Sequence, residues 1–196
     1  MIEEIERIYP DDKRIGKITV ENHRERYQFA CSLREHRQVV ALDVCCGTGY
    51  GADIIYKTGI NVDAFDRSSE AIRYAKHHFK GPKYYIINAN NDWKFGNYDL
   101  ITSFEALEHF SYEDGRKILK KIKQHLTPIG LAVISVPRNC RLETNYFHKA
   151  EYPFEMFKNI LEEIFDKVTM YGQDEMTSKI SQTDIQNKCY FIAVCK

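Results

Sequence analysis

Stretches of apolar residues long enough for a β-strand alternate along this chain with stretches whose apolar residues recur at helical spacing. This alternation predicts β-α-β units, which form a mostly parallel sheet with helices on both faces. Seven segments fit strands, namely 39–44, 60–65, 83–87, 98–104, 130–136, 167–173 and 189–195. A polar segment without a convincing helical pattern separates the last two, so we expect an antiparallel terminal strand.

The helical stretches carry start signals. Ser68 is suited to cap one helix and Ser111 the next, while Pro153 suits the first turn of a third. Their expected apolar faces are Ala71, Ile72, Ala75 and Phe79; Ile118, Leu119, Ile122 and Leu126; and Phe157, Ile160, Leu161 and Ile164. The expected fold class is therefore α/β, a Rossmann-like three-layer sandwich whose seven-stranded, mostly parallel sheet has an antiparallel last strand.

A chain of 196 residues is long enough for one hydrophobic core and too short for two ordinary domains. We expect a single domain over 1–196, with an N-terminal helical extension or lid over 1–35 and the Rossmann-like core over 36–196. No run of about 18 apolar residues is present to cross a membrane, so no membrane partner is expected. The acidic, mixed N-terminus lacks the features of a secretory signal, and the expected location is the cytoplasm.

The 28 basic and 28 acidic residues cancel, which removes the broad positive field that supports phosphate contacts. We do not expect a nucleic-acid partner, and Lys117, Lys120, Lys121 and Lys123 fit a solvated helix face. The six cysteines form no CxxC pair and no zinc or iron–sulfur spacing, so they are interpreted as small, reduced core residues. No metal site is predicted.

Two features point to a nucleoside-containing ligand. The first strand leads into a glycine-rich turn over 43–51, where glycine lets a ligand approach the backbone and the N–H groups of a helix start favour an anion. The second strand ends in Asp66, 17 residues after Gly49, an offset at which a carboxylate accepts ribose hydroxyls. The structural alternative is a tight βα turn followed by an ordinary helix-capping aspartate.

Four motifs extend this observation. ALDVCCGTG, VDAFDRSSEAI, YDLITSFEALEHF and LTPIGLAVISVPRN resemble, in order and spacing, the motifs of class I S-adenosylmethionine (SAM) dependent methyltransferases. Cys45 and Ala64 stand where that family usually has glycine, and the segment 88–93 lacks the family's usual aspartate. The resemblance covers roughly residues 20 to 173 and implies SAM as the cofactor.

The resemblance also implies a set of cofactor-binding residues: Tyr27, Asp43, Cys45, Gly47, Gly49, Tyr50, Asp66, Arg67, Asn90, Asn91, Phe104 and Glu105. It assigns Asn90 or Asp92 to the adenine, beside Trp93. Glu108 and His109 are the catalytic candidates. His109 is the preferred base, since the unperturbed pKa of histidine lies near neutrality. The alternative is that this pair only organises a helix start.

The expected acceptor is a small molecule, through an oxygen of a sugar or related metabolite, and the expected assembly is a monomer or homodimer. ENHRERYQFA and NYFHKAEYPFEMF are similar to segments of bacterial glycan methyltransferases. This likeness implies that His23, Arg26 and Tyr27 close over SAM, and that His148 and Tyr152 lie on the rim. Three alternatives remain: a dehydrogenase-like NAD binder, a nucleic-acid methyltransferase, and a SAM-binding regulator without catalysis.

Overall fold

One mixed sheet organises the computed structural model, which describes residues 7–10, 16–33, 39–139 and 146–196. Within these ranges the strands are β1 (Val40–Val44), β2 (Asn61–Asp66), β3 (Lys83–Ile86), β4 (Tyr98–Phe104), β5 (Leu126–Pro137), β6 (Val168–Gln173), β7 (Ile180–Ser181) and β8 (Tyr190–Cys195). Their order across the sheet is β3-β2-β1-β4-β5-β8-β6-β7. The first five strands pair in parallel, and β8 enters antiparallel between β5 and β6.

Helices cover both faces of the sheet. They are α1 (Lys17–Ser32), α2 (Tyr50–Lys57), α3 (Ser69–His78), α4 (Tyr112–Gln124) and α5 (Phe154–Ile164). Successive strand residues point to opposite faces, so Ala41 packs in the core under α1, α2 and α3, while Leu42 packs in the core under α4 and α5. These two cores confirm the expected three-layer α/β sandwich.

The predicted helix starts at Ser68 and Ser111 are confirmed. The Ser68 hydroxyl accepts a hydrogen bond from the Ala71 amide at 3.2 Å, and the Ser111 hydroxyl accepts one from the Asp114 amide at the same distance. Each serine satisfies a backbone donor that the first helical turn leaves without a partner. Pro153 immediately precedes α5, in keeping with its predicted place at a helix start.

The strand order creates a crevice at the edge where the parallel strands end. From β1 the chain moves outward to β2 and β3, then returns to the other side of β1 as β4. The connections on the two sides therefore diverge between the carboxyl ends of β1 and β4, and open α/β sheets bind ligands at such a switch point. Asp43 of β1 lies opposite Thr102 of β4 there.

The structure departs from the sequence prediction in three places. The sheet has eight strands instead of seven, because the two-residue β7 is too short to leave a pattern. β5 begins at Leu126, not at 130, so Leu126 belongs to a strand and not to the apolar face of α4. A register shift between Tyr98 and Leu100 accommodates Pro128 and Gly130, which read as strand breakers in the sequence. Phe79 follows the last residue of α3 in extended conformation.

α1 is anchored to the carboxyl end of β6 and to the residues that follow it. Arg26 donates a 2.7 Å hydrogen bond to Gln173 Oε1, and the Asn22 amide donates to the Glu175 carbonyl at 3.0 Å. The predicted division between extension and core, at 35/36, falls outside the described residues, as does Cys140. Cys46 and Cys195 are buried, as predicted, while Cys31, Cys45 and Cys189 are only partly buried. No helix among the described residues is long and apolar enough to span a membrane.

Candidate active site

A cleft with about 870 Å³ of empty volume, counted to its open mouth, lies at the carboxyl ends of β1, β2 and β4. The predicted site residues that line it are Tyr27, Cys45, Gly47, Tyr50, Asp66, Arg67, Phe104, Glu105 and His109. The lining also includes His23, which the resemblance predicts to close over the cofactor. The remaining lining residues had no predicted role in the site, and they are Arg7, Ile8, Cys46, Thr48, Asn88, Ala89, Ala106 and Phe110. Asp43, Gly49, Asn90, Asn91 and Glu108 lie outside this lining.

The turn after β1 forms the floor of the cleft. Cys45, Gly47 and Gly49 have left-handed φ angles of 59°, 53° and 80°, which carry the chain sharply from β1 into α2. A side chain added at Gly47 would meet nothing within 4 Å, so the space above this residue is open. A Cβ at Gly49 would lie 2.6 Å from both Ala75 Cβ and Tyr84 Cε1. Gly49 therefore lets the turn pack closely against its neighbours behind the cleft.

Asp66 presents a nearly buried carboxylate at the end of β2. Its Oδ2 accepts the Gly47 amide at 3.1 Å, and its Oδ1 accepts the Ser68 amide at 2.8 Å. The guanidinium of Arg7 lies 3.5 Å from Oδ1, and Thr48 donates a 2.6 Å hydrogen bond to the Ile8 carbonyl. Backbone donors thus fix the carboxylate, and an N-terminal segment lies across it.

An aromatic wall made by Tyr27, Tyr50 and Phe104, with His23 among them, closes one side of the cleft. The rings of Tyr27 and Phe104 meet edge to face at 4.8 Å, and the Tyr50 hydroxyl forms a hydrogen bond with His23 Nδ1. Burial, followed by the charge of Arg26, holds the pKa of His23 well below its usual range. His23 is therefore neutral at pH 7 and serves as a hydrogen-bonding part of the wall.

Asp43 supports this wall from behind. The Tyr27 hydroxyl lies 3.2 Å from each Asp43 oxygen, and the Thr102 hydroxyl donates to Oδ1 at 2.7 Å. Complete burial raises the pKa of Asp43 from 3.8 to about 7, although these hydrogen bonds oppose the shift. Asp43 therefore does not line the cleft, and it affects the cleft by positioning Tyr27.

The loop after β3 closes the end of the cleft next to β2. Asn88 and Ala89 line the cleft, while Asn90 and Asn91 lie outside its lining. Lys121 donates hydrogen bonds to the carbonyls of Ala89, Asn90 and Asn91 at 3.1, 2.8 and 2.7 Å. The ammonium group of Lys121, on α4, therefore fixes the backbone of this loop.

Acidic and imidazole groups gather where β4 ends. Glu105 has a φ of 49°, and its carboxylate accepts a 2.7 Å hydrogen bond from the Ser135 hydroxyl. The next turn is a short 3-10 helix, Leu107–His109. Glu108 is 1% exposed, and burial, reinforced by the charge of Glu105, raises its pKa well above the usual range. The ring of His109 forms a 3.2 Å hydrogen bond through Nδ1 with the Phe147 carbonyl.

Three of the four lysines of α4 are engaged within the protein. Lys117 lies 2.7 Å from the Glu113 carboxylate, and Lys123 lies 3.0 Å from that of Asp166. Together with the buttressing role of Lys121, these contacts leave little of the run to form a basic surface. The geometry therefore gives no support to the nucleic-acid alternative.

The glycine turn after β1, the carboxylate after β2 and a sheet with β8 inserted antiparallel together define a class I methyltransferase fold. A family model described as a methyltransferase domain matches residues 12–176. The chain belongs to this family, whose cofactor is SAM. The resemblance inferred from the four motifs is thus confirmed.

Comparisons with individual proteins agree with this assignment. The chain is 30% identical over 110 residues to the phosphoethanolamine N-methyltransferase of Plasmodium falciparum, a match that covers 53% of this chain and only 40% of that enzyme. Among solved structures, a TehB-like SAM-dependent methyltransferase from Corynebacterium glutamicum is 23% identical, with a TM-score of 0.66 over 88% of this chain and 86% of the other. The magnesium protoporphyrin IX methyltransferase of Synechocystis, solved with bound SAM, is 14% identical, with a TM-score of 0.67 over 94% and 86%. These structures share the fold.

Proposed function

We propose that this protein transfers the methyl group of SAM to a hydroxyl oxygen of a small molecule, a sugar or related metabolite. The main support for this proposal is the position of His109, which lies in the wall of the cleft just after β4. A general base there can accept the proton that an alcohol must lose when its oxygen is methylated. The alternative, in which Glu108 and His109 only organise the turn, predicts that any loss of methyl transfer in His109→Ala is accompanied by a loss of SAM affinity or of stability.

The residues of the cleft fit the cofactor. Gly47 leaves open space above the turn, and the Asp66 carboxylate is fixed by two backbone amides at the cleft wall. We assign the ribose hydroxyls to Asp66, the methionine part to the wall around Tyr27, Tyr50 and Phe104, and the adenine to the 88–91 loop. Within that loop, Asn88 and Ala89 are better placed than Asn90 and Asn91, because only the first two line the cleft.

SAM supplies an electrophilic methyl carbon next to a sulfonium. The protein's part is to hold the acceptor oxygen in line with that carbon and to exclude water. As the oxygen–carbon bond forms, the carbon–sulfur bond breaks with its electron pair going to sulfur, and the hydroxyl proton passes to His109. The Phe147 carbonyl can only accept a hydrogen bond, so its contact with His109 Nδ1 favours the neutral tautomer that carries its proton on Nδ1.

An amine acceptor is the second candidate. It is favoured by the 30% identity to the phosphoethanolamine N-methyltransferase, over a match that covers 40% of that enzyme. An amine that enters as the free base needs no base in the transition state, so its methylation would depend on His109 much less than that of an alcohol. Dependence on His109 therefore separates the two acceptor classes.

The experiment measures release of S-adenosylhomocysteine with panels of sugars, other alcohols and amines. We expect turnover with a hydroxyl acceptor to fall about 10²–10⁴-fold in His109→Ala, while SAM affinity by calorimetry stays unchanged. His77→Ala, on the exposed side of α3, is the matched control, and Asp66→Ala is the variant expected to lose SAM binding. Full turnover in His109→Ala would remove the base, and turnover with amines alone would move the assignment to the second candidate.

A further inference from the structure

Three potential metal ligands converge just after β4, where His109 lines the cleft. Glu108, His109 and His148 each offer one ligand atom, and these atoms lie within 4.8 Å of one another. Around a divalent cation with bonds of about 2.0–2.2 Å, ligand atoms lie about 3–4.4 Å apart. The three side chains are therefore gathered closely enough for one ion to contact all of them after small rotations.

Glu108 supplies an independent sign of a missing partner. It is 1% exposed, and its Oε2 has no hydrogen-bond partner. Removing a carboxylate from water is strongly unfavourable unless a counter-charge or hydrogen-bond donors replace the lost solvation. A cation at this place would supply that counter-charge.

The backbone builds this cluster from two distant parts of the chain. The amides of Lys149 and Ala150 donate to the Glu108 carbonyl at 2.7 and 3.2 Å, which holds His148 against the turn that carries His109. The two imidazole rings lie 4.9 Å apart. His109 Nδ1 forms a hydrogen bond with the Phe147 carbonyl, and metal-binding histidines commonly have such an outer partner on one ring nitrogen.

We propose that Glu108, His109 and His148 bind a divalent transition cation such as Zn²⁺ or Mn²⁺. Two imidazole nitrogens and one carboxylate oxygen suit these ions better than Mg²⁺, which prefers oxygen ligands. Three protein ligands also leave coordination positions for water or another oxygen donor. Sequence analysis predicted no metal site because His148 follows His109 by 39 residues, and only the fold brings them together.

For catalysis this inference rests on the proposed function, and it changes the part played by His109. A hydroxyl bound to the cation has a lowered pKa, so its proton leaves to solvent while the oxygen bonds to the methyl carbon and the carbon–sulfur bond breaks. His109 then acts as a ligand, and the cation holds the acceptor oxygen. The substrate class narrows to hydroxyl compounds that can coordinate a metal, such as sugars with adjacent hydroxyls.

The first test is metal binding itself, measured without any methyl acceptor. The untagged chain, stripped with a chelator, is titrated with Zn²⁺, Mn²⁺ and Mg²⁺ by calorimetry, and with Co²⁺ by visible absorption. We expect one site that prefers Zn²⁺ or Mn²⁺ to Mg²⁺, with affinity at least about 100-fold weaker in His148→Ala and Glu108→Gln. His77→Ala is the matched control and is expected to bind as the wild type does.

Equal affinity in the wild type and His148→Ala, or no binding of any of these ions, would overturn the metal site. His148→Ala carries this comparison if Glu108→Gln does not fold, since His148 is not fully buried. Methyl transfer that persists undiminished in metal-free protein would refute the catalytic role of the cation while leaving the proposed function intact. Metal binding without methyl transfer to any hydroxyl acceptor would sustain the site and count against the proposed function.

Discussion

Cys45 adopts a backbone conformation that glycine adopts far more easily. Its φ of 59° lies in the left-handed region, where a Cβ crowds the following carbonyl. This conformation explains why the related motifs usually have glycine at this position, and it predicts that Cys45 is strained. The strain lies in the floor of the cleft, between β1 and the open space above Gly47.

Replacing Cys45 with glycine and with alanine isolates this strain. Both variants lack the sulfur, so their difference reports mainly on the left-handed backbone. We expect Cys45→Gly to be more stable than Cys45→Ala by about 1 kcal/mol, measured by urea denaturation. At Cys31, inside α1, the same pair should show the opposite order, because glycine is unfavourable in a helix. A more stable alanine variant at position 45 would refute the explanation.

Individual residues differ in how far the sequence could define their roles. Asp66 was assigned from its place at the end of a strand, and it does line the cleft. Asp43 and Gly49, which belong to the motif ALDVCCGTG, lie behind the lining, where Asp43 holds Tyr27 and Gly49 permits close packing. A motif identifies the residues that a site needs, but it does not distinguish residues that line the cleft from residues that hold those in place.

Among the secondary structure elements, those with long periodic patterns were predictable and those set by tertiary contacts were not. β4, with its apolar run, has the predicted bounds 98–104. The start of β5 was missed because its pairing tolerates Pro128 and Gly130 through a register shift. The short distance between Glu108 and His148 depends on backbone hydrogen bonds between segments that are far apart in the sequence. No local sequence pattern encodes such bonds.

The N-terminal segment 7–10 lies over the cofactor cleft and competes for the carboxylate assigned to ribose. Arg7 lies 3.5 Å from Asp66, and both Arg7 and Ile8 line the cleft. A partly exposed ion pair is worth about 0–1 kcal/mol, so its removal should tighten SAM binding by up to about fivefold. Calorimetry on Arg7→Ala tests this, with Arg73→Ala on the exposed face of α3 as control. Weaker binding in Arg7→Ala would mean that the segment holds the cofactor in place.

At the scale of the whole molecule, the side chain of Asp43 links α1 to the two central strands β1 and β4. It belongs to β1 and accepts hydrogen bonds from Tyr27 of α1 and Thr102 of β4. Its side chain is fully buried, so its charge state affects the global stability of the fold. The same residue supports the aromatic wall, which couples stability to the shape of the cleft.

The raised pKa of Asp43, about 7 in the folded protein against 3.8 for an unperturbed aspartate, gives a defined pH dependence of stability. Between these two pKa values the folded protein keeps the proton on Asp43, whereas the unfolded chain has lost it. The contribution of Asp43 to the free energy of unfolding is therefore fully present below about pH 4 and is lost as the pH rises through 7. We expect the free energy of unfolding of the wild type, relative to Asp43→Asn, to fall by on the order of 4 kcal/mol between pH 4 and pH 8. Urea denaturation across this range measures it, and the exposed Asp92→Asn serves as control. A flat difference would show that Asp43 is already ionised in the folded protein at pH 4, with its charge compensated by the hydroxyls of Tyr27 and Thr102.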